Sequence, residues 1–266
     1  MGRLHLECAQ LSDKGMVRTF NEDSVLCDRE NGFFILADGM GGYKAGDVAS
    51  NMVVQIIQQK LAESTPSGSH DDCEARLVGA VTSANSQIHK AARLNRDFEK
   101  MGATVVLIRF HDNALSVAHV GDSRLYRLRQ GKLQALTLDH SLLQEQITLG
   151  LISAEEARLS HNRNLVTRAL GAEADVAVET HRYEVDDGDV YLLCSDGLND
   201  MVSDEDIELA LSTLAIKLPL AAEVLVQMAN DSGGHDNVSV VLVRASAQGG
   251  PDRVGLAARL FGWLKR

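Results

Sequence analysis

Residues 33–42 read FFILADGMGG. Five apolar residues lead directly into Asp38, and three of the four residues that follow it are glycine. A short apolar run bounded by turn residues predicts a buried strand. A buried carboxylate costs several kcal/mol unless a cation or a ring of backbone N–H groups compensates it. The stretch therefore predicts a buried strand that ends at a binding site, with glycines that keep the space around Asp38 open.

The overall composition is that of an ordinary globular protein. The chain has 266 residues, of which 45% are hydrophobic and 24% are charged. A net charge of −11 argues against nucleic acid as a ligand and suits divalent cations. Apolar runs fall short of the ~20 residues that span a bilayer, and we expect a cytoplasmic protein. The scattered cysteines predict reduced thiols of the core, namely Cys8, Cys27, Cys73 and Cys194.

The first part of the chain alternates strand and helix patterns. A strand is predicted near residues 4–11, and a hairpin is predicted from 24–28 and 32–38 around the turn RENG. Apolar residues at helical spacing predict a helix over 45–61, and a second helix follows over about 73–95.

The second part is richer in strands. Four strand patterns between residues 103 and 138 predict a continuous meander, and the polar segment 139–164 predicts an inserted flap. Two further strands precede a helix pair at about 204–214 and 219–231, and a final strand covers 237–245. Grouped strands with paired helices favour an α+β fold in which helices pack on antiparallel sheets.

Acidic residues occur repeatedly where apolar strands end or begin. A single aspartate beside a glycine is more typical of a turn, but several such strand ends on facing sheets would crowd their carboxylates together. Crowded carboxylates require cations between them, and oxygen-only ligation favours Mg²⁺ or Mn²⁺ over zinc. The acids at these positions are Glu22, Asp23, Asp38, Asp122, Asp196 and Asp236.

Six motifs appear in an order that resembles the metal-dependent (type 2C, PPM) protein serine/threonine phosphatases of bacteria. They are RTFNED (18–23), ADGMGG (37–42), GATVVL (102–107), HVGDSRLY (119–126), CSDGL (194–198) and GGHDNVSVVLV (233–243). The resemblance covers roughly residues 5–245. It implies a four-layer α/β/β/α sandwich with two central antiparallel sheets, a catalytic domain over 1–245 and a flap at about 139–164.

The same resemblance implies a ligand set for two metal ions, Mn²⁺ or Mg²⁺. Asp38 would bridge the two ions, and the Gly39 carbonyl and Glu22 would serve one of them. Asp196 and Asp236 would hold the other.

Further positions match other parts of the family's site. Asp122 matches the acid of a third, weaker metal, and Arg18 matches the arginine that binds the substrate phosphate. Asp23 and Asn237 would orient the ligands. Many relatives have histidine where this chain has Met40, so the general acid stays unassigned and metal-bound water is the first candidate.

The resemblance implies that a metal-activated hydroxide hydrolyses phosphoserine and phosphothreonine in proteins, in opposition to a bacterial serine/threonine kinase. Three other interpretations stay open. The glycines at 39–42 could form a nucleotide loop, although the spacing fits neither common motif. Ser123 in GDS could be the nucleophile of a serine hydrolase. The fold could also serve as a phosphoprotein-binding module without turnover.

The C-terminal residues differ from the rest. Residues 246–266 predict a linker followed by an amphipathic stretch, VGLAARLFGWLKR (254–266). Residues 251–266 carry four basic groups and one aspartate on a chain that is otherwise acidic. A cationic amphipathic helix can dock on a partner or lie on a membrane surface.

Overall fold

The computed structural model describes residues 4–42, 45–62, 70–153, 156–157 and 165–247, without the side chains of residues 70, 71 and 247. Their strands are β1 (Leu4–Asp13), β2 (Asp23–Asp28), β3 (Phe33–Met40), β4 (Gly102–Ala103), β5 (Val105–His111), β6 (Ala114–Val120), β7 (Arg124–Arg129), β8 (Lys132–Ala135), β9 (Glu179–Glu184), β10 (Val190–Cys194) and β11 (Val238–Ala247). Their helices are α1 (Ala45–Ala62), α2 (His70–Leu94), α3 (Leu142–Thr148), α4 (Asp196–Asn199), α5 (Asp204–Leu214) and α6 (Leu218–Asp231), with a short 3₁₀ helix at Arg96–Phe98.

The strands form two antiparallel sheets. The first sheet has the order β2-β3-β5-β6-β9, with the short β4 paired to the end of β3. The second sheet has the order β1-β11-β10-β7-β8. The hairpin of β2 and β3 is confirmed, with Asp28 opposite Phe33 beside the turn.

Side-chain alternation along β3 accounts for the layered packing. Phe33, Ile35 and Ala37 pack with α1 and α2 on the outer face of the first sheet. Phe34 and Leu36 point to the opposite face and pack in the core between the two sheets. The helices α5 and α6 cover the outer face of the second sheet. The predicted α+β fold, a four-layer α/β/β/α sandwich with two central antiparallel sheets, is confirmed.

The predicted continuous meander is wrong at one point. Strand β6 pairs with β5 and β9 in the first sheet, whereas β7 pairs with β8 and β10 in the second. The chain crosses between the sheets at residues 121–123, where Gly121 has a φ of +108°. A Cβ at Gly121 would lie 2.5 Å from the Thr104 side chain. The crossing therefore needs glycine, and it carries Asp122 to the end of the sandwich.

The flap region is described in part. It contains α3, whose first turn is capped by Ser141, with the Ser141 Oγ accepting a hydrogen bond from the Gln144 N–H. The rest of the predicted flap, 154–155 and 158–164, lies outside the described residues, as do residues 248–266 of the predicted linker and tail.

Two further features concern the cysteines and the ability of the described helices to span a membrane. All four cysteines are free; Cys73 and Cys194 are buried, and Cys8 and Cys27 are half-buried. Among the described helices, none combines the length and the apolar character that a membrane crossing requires.

Candidate metal centre

The acids that the sequence singled out meet at one end of the sandwich. Asp23 and Asp38 are opposite each other on β2 and β3, and Glu22 immediately precedes β2. The second sheet contributes Asp196 after β10 and Asp236 before β11. Asp122 lies on the loop at residues 121–123, where the chain crosses between the two sheets. Asp38 and Asp196 are each close enough to several of the other carboxylates for those charges to shift their pKa values.

This crowding is visible in the acid–base properties of the site. Burial, and then the charges of Asp23, Asp196, Asp122 and Asp236, raise the pKa of Asp38 well above its ordinary value. Burial and neighbouring carboxylates do the same to the pKa of Asp196. Burial also raises the pKa of Asp23 and of Asp122 to about 6. The charged forms of these carboxyl groups are therefore costly, and a bound cation would favour them.

The donor set fits a hard divalent cation. The Oδ1 atom of Asp196 is buried and has no hydrogen-bond partner among the described residues. Such an oxygen is costly to leave unpaired and is an obvious ligand for a cation. The clustered groups are all oxygen donors, which suit Mg²⁺ and Mn²⁺.

Glycines allow the chain to close around Glu22. The Gly39 N–H donates to the Glu22 carbonyl at 3.0 Å, and a Cβ at Gly39 would overlap the Gly46 carbonyl. A Cβ at Gly46 would lie 2.5 Å from Glu22 Oε1. The sequence interpretation missed Gly46. The only local signal for it is a glycine in the first turn of a predicted helix, where other residues are more usual.

Arg18 lies beside these carboxylates. Its Nη2 donates to Asp236 Oδ2 at 2.6 Å, and its side chain is 51% exposed. Burial lowers the pKa of Arg18, but the contact with Asp236 outweighs this and the net shift is upward. The guanidinium thus stays charged with part of its donor set facing solvent.

Asn237 connects the loop of Arg18 to β11. Its Oδ1 accepts from the Glu22 N–H at 2.8 Å, and its Nδ2 donates to the carbonyls of Lys14 and Phe20 at 3.0 and 2.9 Å. Its own N–H donates to Asp236 Oδ1 at 2.8 Å. This one buried amide therefore fixes the backbone on both sides of Arg18.

Asp23 is held from the second sheet. The Ser195 Oγ donates to Asp23 Oδ2 at 2.8 Å and accepts from the Ser239 N–H at 3.0 Å. Asp23 is only 8% exposed. Its carboxylate thereby connects the first sheet to the second within the cluster of acids.

A cavity of about 490 Å³ opens beside the acids, between the flap and the segment that follows α4. Asp122 and Asp196 lie in its wall, and Ile147 of the flap helix lines the opposite side. Arg124 holds the base of the flap through two hydrogen bonds to Asp139, at 2.8 and 2.7 Å. The cavity therefore continues from the carboxylates to the flap.

Ser123 does not have the surroundings of a nucleophile. It is buried, and its Oγ shares a 2.7 Å hydrogen bond with Thr104 Oγ1. Thr104 in turn accepts from the Asp38 N–H at 3.3 Å, and its own N–H donates to the Asp38 carbonyl at 2.8 Å. Ser123 thus supports the backbone of Asp38.

Comparison with known proteins agrees with this architecture. The family model described as Protein phosphatase 2C matches residues 16–234. The chain is 42% identical over 242 residues to the serine/threonine protein phosphatase PstP of Mycobacterium tuberculosis, covering 90% of this chain and 45% of that protein. It is 38% identical over 235 residues to the serine/threonine phosphatase stp of Listeria welshimeri, covering 87% and 93% of the two chains.

A solved structure of a phosphatase catalytic domain is also similar to this chain. The crystal structure of the catalytic domain of PstP in complex with two manganese ions superposes with a TM-score of 0.82 at 39% identity, covering 92% of this chain and all of that one.

The layered sandwich thus has the fold of a protein serine/threonine phosphatase catalytic domain. The chain belongs to the protein phosphatase 2C family. It spans 45% of the length of the mycobacterial relative that it matches.

Proposed function

We propose that the chain hydrolyses phosphoserine and phosphothreonine in proteins at the acidic end of the sandwich. The observation that carries the proposal is the convergence of six carboxylates from both sheets beside a charged, half-exposed Arg18. Phosphate monoesters are among the slowest bonds to hydrolyse unaided. A purely structural cluster of acids would gain nothing from this crowding, whereas a metal centre requires it.

The ligand roles are assigned from the family resemblance and from the mutual repulsion of the acids. Asp38, whose pKa is raised by the charges of acids from both sheets, would serve both of two core ions, Mn²⁺ or Mg²⁺. Glu22 and the Gly39 carbonyl would complete one site, and Asp196 and Asp236 the other. Two such ions, when bound, activate water for attack and offset charge on the phosphoryl oxygens.

Asp122 would serve a third ion. It lies in the wall of the cavity together with Asp196, and its charge is among those that raise the pKa of Asp196. This arrangement supports a weaker site on the flap side of the core pair.

Other residues would position the substrate and the metal ligands. Arg18 would donate to the phosphate with the part of its guanidinium that is not committed to Asp236, since a planar fork can bind two oxygens at once. Asp23 and Asn237 would keep the ligands oriented through the contacts described above. The cavity beside the flap is the place for residues that flank the phosphorylated one.

The broader setting is inferred from the sequence and the relatives. We infer that residues 1–245 form the catalytic domain and that the enzyme opposes a bacterial serine/threonine kinase. Free thiols at all four cysteines favour a reducing compartment such as the cytoplasm. The amphipathic residues 254–266 would act as a docking or membrane-surface helix, and truncation at Gly250 that leaves partner binding unchanged would remove that idea.

Phosphate release from a phosphothreonine peptide tests the proposed activity. We expect turnover with Mn²⁺, loss of turnover in excess EDTA, and loss of turnover in Asp38→Asn while the variant stays folded. Ser123→Ala serves as the control and should keep the metal dependence. Turnover that survives EDTA would contradict the metal mechanism. Tight binding of the phosphopeptide without any phosphate release would instead favour a binding module.

A further inference from the structure

A second group of metal-ligating side chains lies on the first sheet, apart from the acidic end. His119 on β6 is opposite Glu179 on β9, and His181 follows two residues later on β9. Each of the three residues offers one ligand atom, and these atoms lie within 4.8 Å of one another. They face the start of the flap, where the Leu138 carbonyl accepts from His119 Nε2 at 3.1 Å.

His119 has an unused ligand atom. Its Nε2 is committed to the Leu138 carbonyl, so Nδ1 carries the lone pair. His119 is completely buried, and its Nδ1 has no hydrogen-bond partner among the described residues. Burial lowers the pKa of His119 to about 4. The imidazole is therefore neutral at physiological pH, which is the form that binds metals.

Glu179 is oriented toward the cluster by two histidines. Its Oε2 accepts from His140 Nε2 at 3.1 Å, and its Oε1 accepts from His181 Nε2 at 2.7 Å. The Gly121 N–H donates to His140 Nδ1, which places the proton of His140 on Nε2. His140, whose Nε2 also lies 3.3 Å from Arg168 Nη1, thus acts as a donor behind the carboxylate.

The cluster is accessible from solvent. The side chains of Glu179 and His181 are 32% and 38% exposed, and β9 is the edge strand of its sheet. Ligand atoms of a tetrahedral zinc site lie about 3.4 Å apart when the bonds are about 2.0–2.1 Å long. The 4.8 Å limit for these three atoms is wider than that, so a bound ion would draw them closer together.

We propose that His119, Glu179 and His181 form a binding site for zinc or a similar borderline transition-metal ion, with a fourth position open to water. Two imidazole nitrogens and one carboxylate suit such an ion, whereas the oxygen-only centre at the end of the sandwich suits Mn²⁺ or Mg²⁺. The chain would then carry two metal sites of different chemistry. This inference does not depend on the proposed phosphatase activity.

Titration of metal-cleared protein with Co²⁺ tests the site directly. Tetrahedral cobalt with nitrogen ligands absorbs visible light strongly, whereas cobalt in an octahedral oxygen site absorbs weakly. The wild-type chain should develop the strong band, and it should bind one more equivalent of Zn²⁺ in equilibrium dialysis than His181→Ala or Glu179→Gln.

His5→Ala is the matched control, because His5 is a 51% exposed histidine whose Nδ1 lies 3.9 Å from Glu7 Oε1. It should keep both the cobalt band and the zinc equivalent. Phosphate release with Mn²⁺ is measured in parallel and should persist in the His181 and Glu179 variants, which separates this site from the catalytic one. A His181→Ala protein with the wild-type band and zinc stoichiometry would overturn the proposal, as would a wild-type chain that shows no band.

Discussion

Replacement of Asn237 by alanine should weaken metal binding more than its effect on folding explains. The Asn237 side chain makes three hydrogen bonds, one accepted from the Glu22 N–H and two donated to the carbonyls of Lys14 and Phe20. At a net value of about 1 kcal/mol for each bond, Asn237→Ala should lower the free energy of unfolding by about 3 kcal/mol. A domain of ordinary stability, about 5–15 kcal/mol, stays folded after such a loss.

Asn85 offers a matched control for this change. It is also buried, and its side chain also makes one accepted and two donated bonds to backbone groups, namely the Gly171 N–H and the carbonyls of Glu173 and Ala174. Asn85→Ala should therefore cost a similar amount of stability. Its partners, however, lie outside the loops that carry the clustered carboxylates.

The two variants should separate in their response to Mn²⁺. Residues that orient metal ligands typically contribute 10–100-fold to metal affinity or activity, and we expect the half-saturating Mn²⁺ concentration of Asn237→Ala to rise by about this factor. Asn85→Ala should keep the wild-type value. Urea unfolding in the presence of a chelator measures the stability, and phosphate release against Mn²⁺ concentration measures the affinity. Equal shifts in the two variants would refute a positioning role for Asn237.

Three further perturbations test separate parts of the structure. Gly39→Ala should lower stability and activity because its Cβ overlaps the Gly46 carbonyl, whereas Gly42→Ala should be neutral in urea unfolding and phosphate release because nothing lies within 4 Å of its Cβ. Arg18→Lys should raise KM for a phosphopeptide nearly as much as Arg18→Ala, since an ammonium cannot fork onto two oxygens; a wild-type KM in the lysine variant would contradict this. The fold holds His119 neutral with a pKa of about 4, below the ~6.5 of an unfolded chain, so stability should decrease by up to about 3 kcal/mol as the pH is lowered from about 6.5 to about 4. His119→Asn should remove this part of the pH dependence when urea midpoints are compared with chelator present.

Much of the fold could be predicted from local patterns. The hairpin of β2 and β3 and the bounds of α5 follow from alternation, turn residues and helical spacing. The crossing at residues 121–123 could not be predicted in this way, because Gly-Asp-Ser between two apolar strands is as compatible with a hairpin turn as with a change of sheet. The difference depends on Thr104, which lies against Gly121 and is distant in the sequence.

The candidate site likewise contains residues that local sequence patterns predict and residues that depend on contacts distant in the sequence. Acids at strand ends were visible because each follows or precedes an apolar strand, and their order matched a family. Gly46 was missed because its requirement arises from the approach of Glu22 and of the Gly39 carbonyl, which no local pattern shows. The cluster of His119, Glu179 and His181 was missed because the strand pairing of β6 with β9 joins residues about 60 positions apart, and no local pattern predicts that register.

The position of the acids also couples metal binding to stability. Asp38 lies near the end of β3 and Asp196 directly follows β10, and the apolar residues that precede each acid are buried in the core, so the backbone cannot relax to move the two carboxylates apart. Their raised pKa values express the cost of burying them and of holding them close to one another. A cation that binds only the folded state removes that cost and stabilises the fold by an amount that grows with the logarithm of its concentration divided by its Kd. The same rigidity keeps the ligands in place, so little reorganisation would be needed when the proposed phosphoprotein substrate binds.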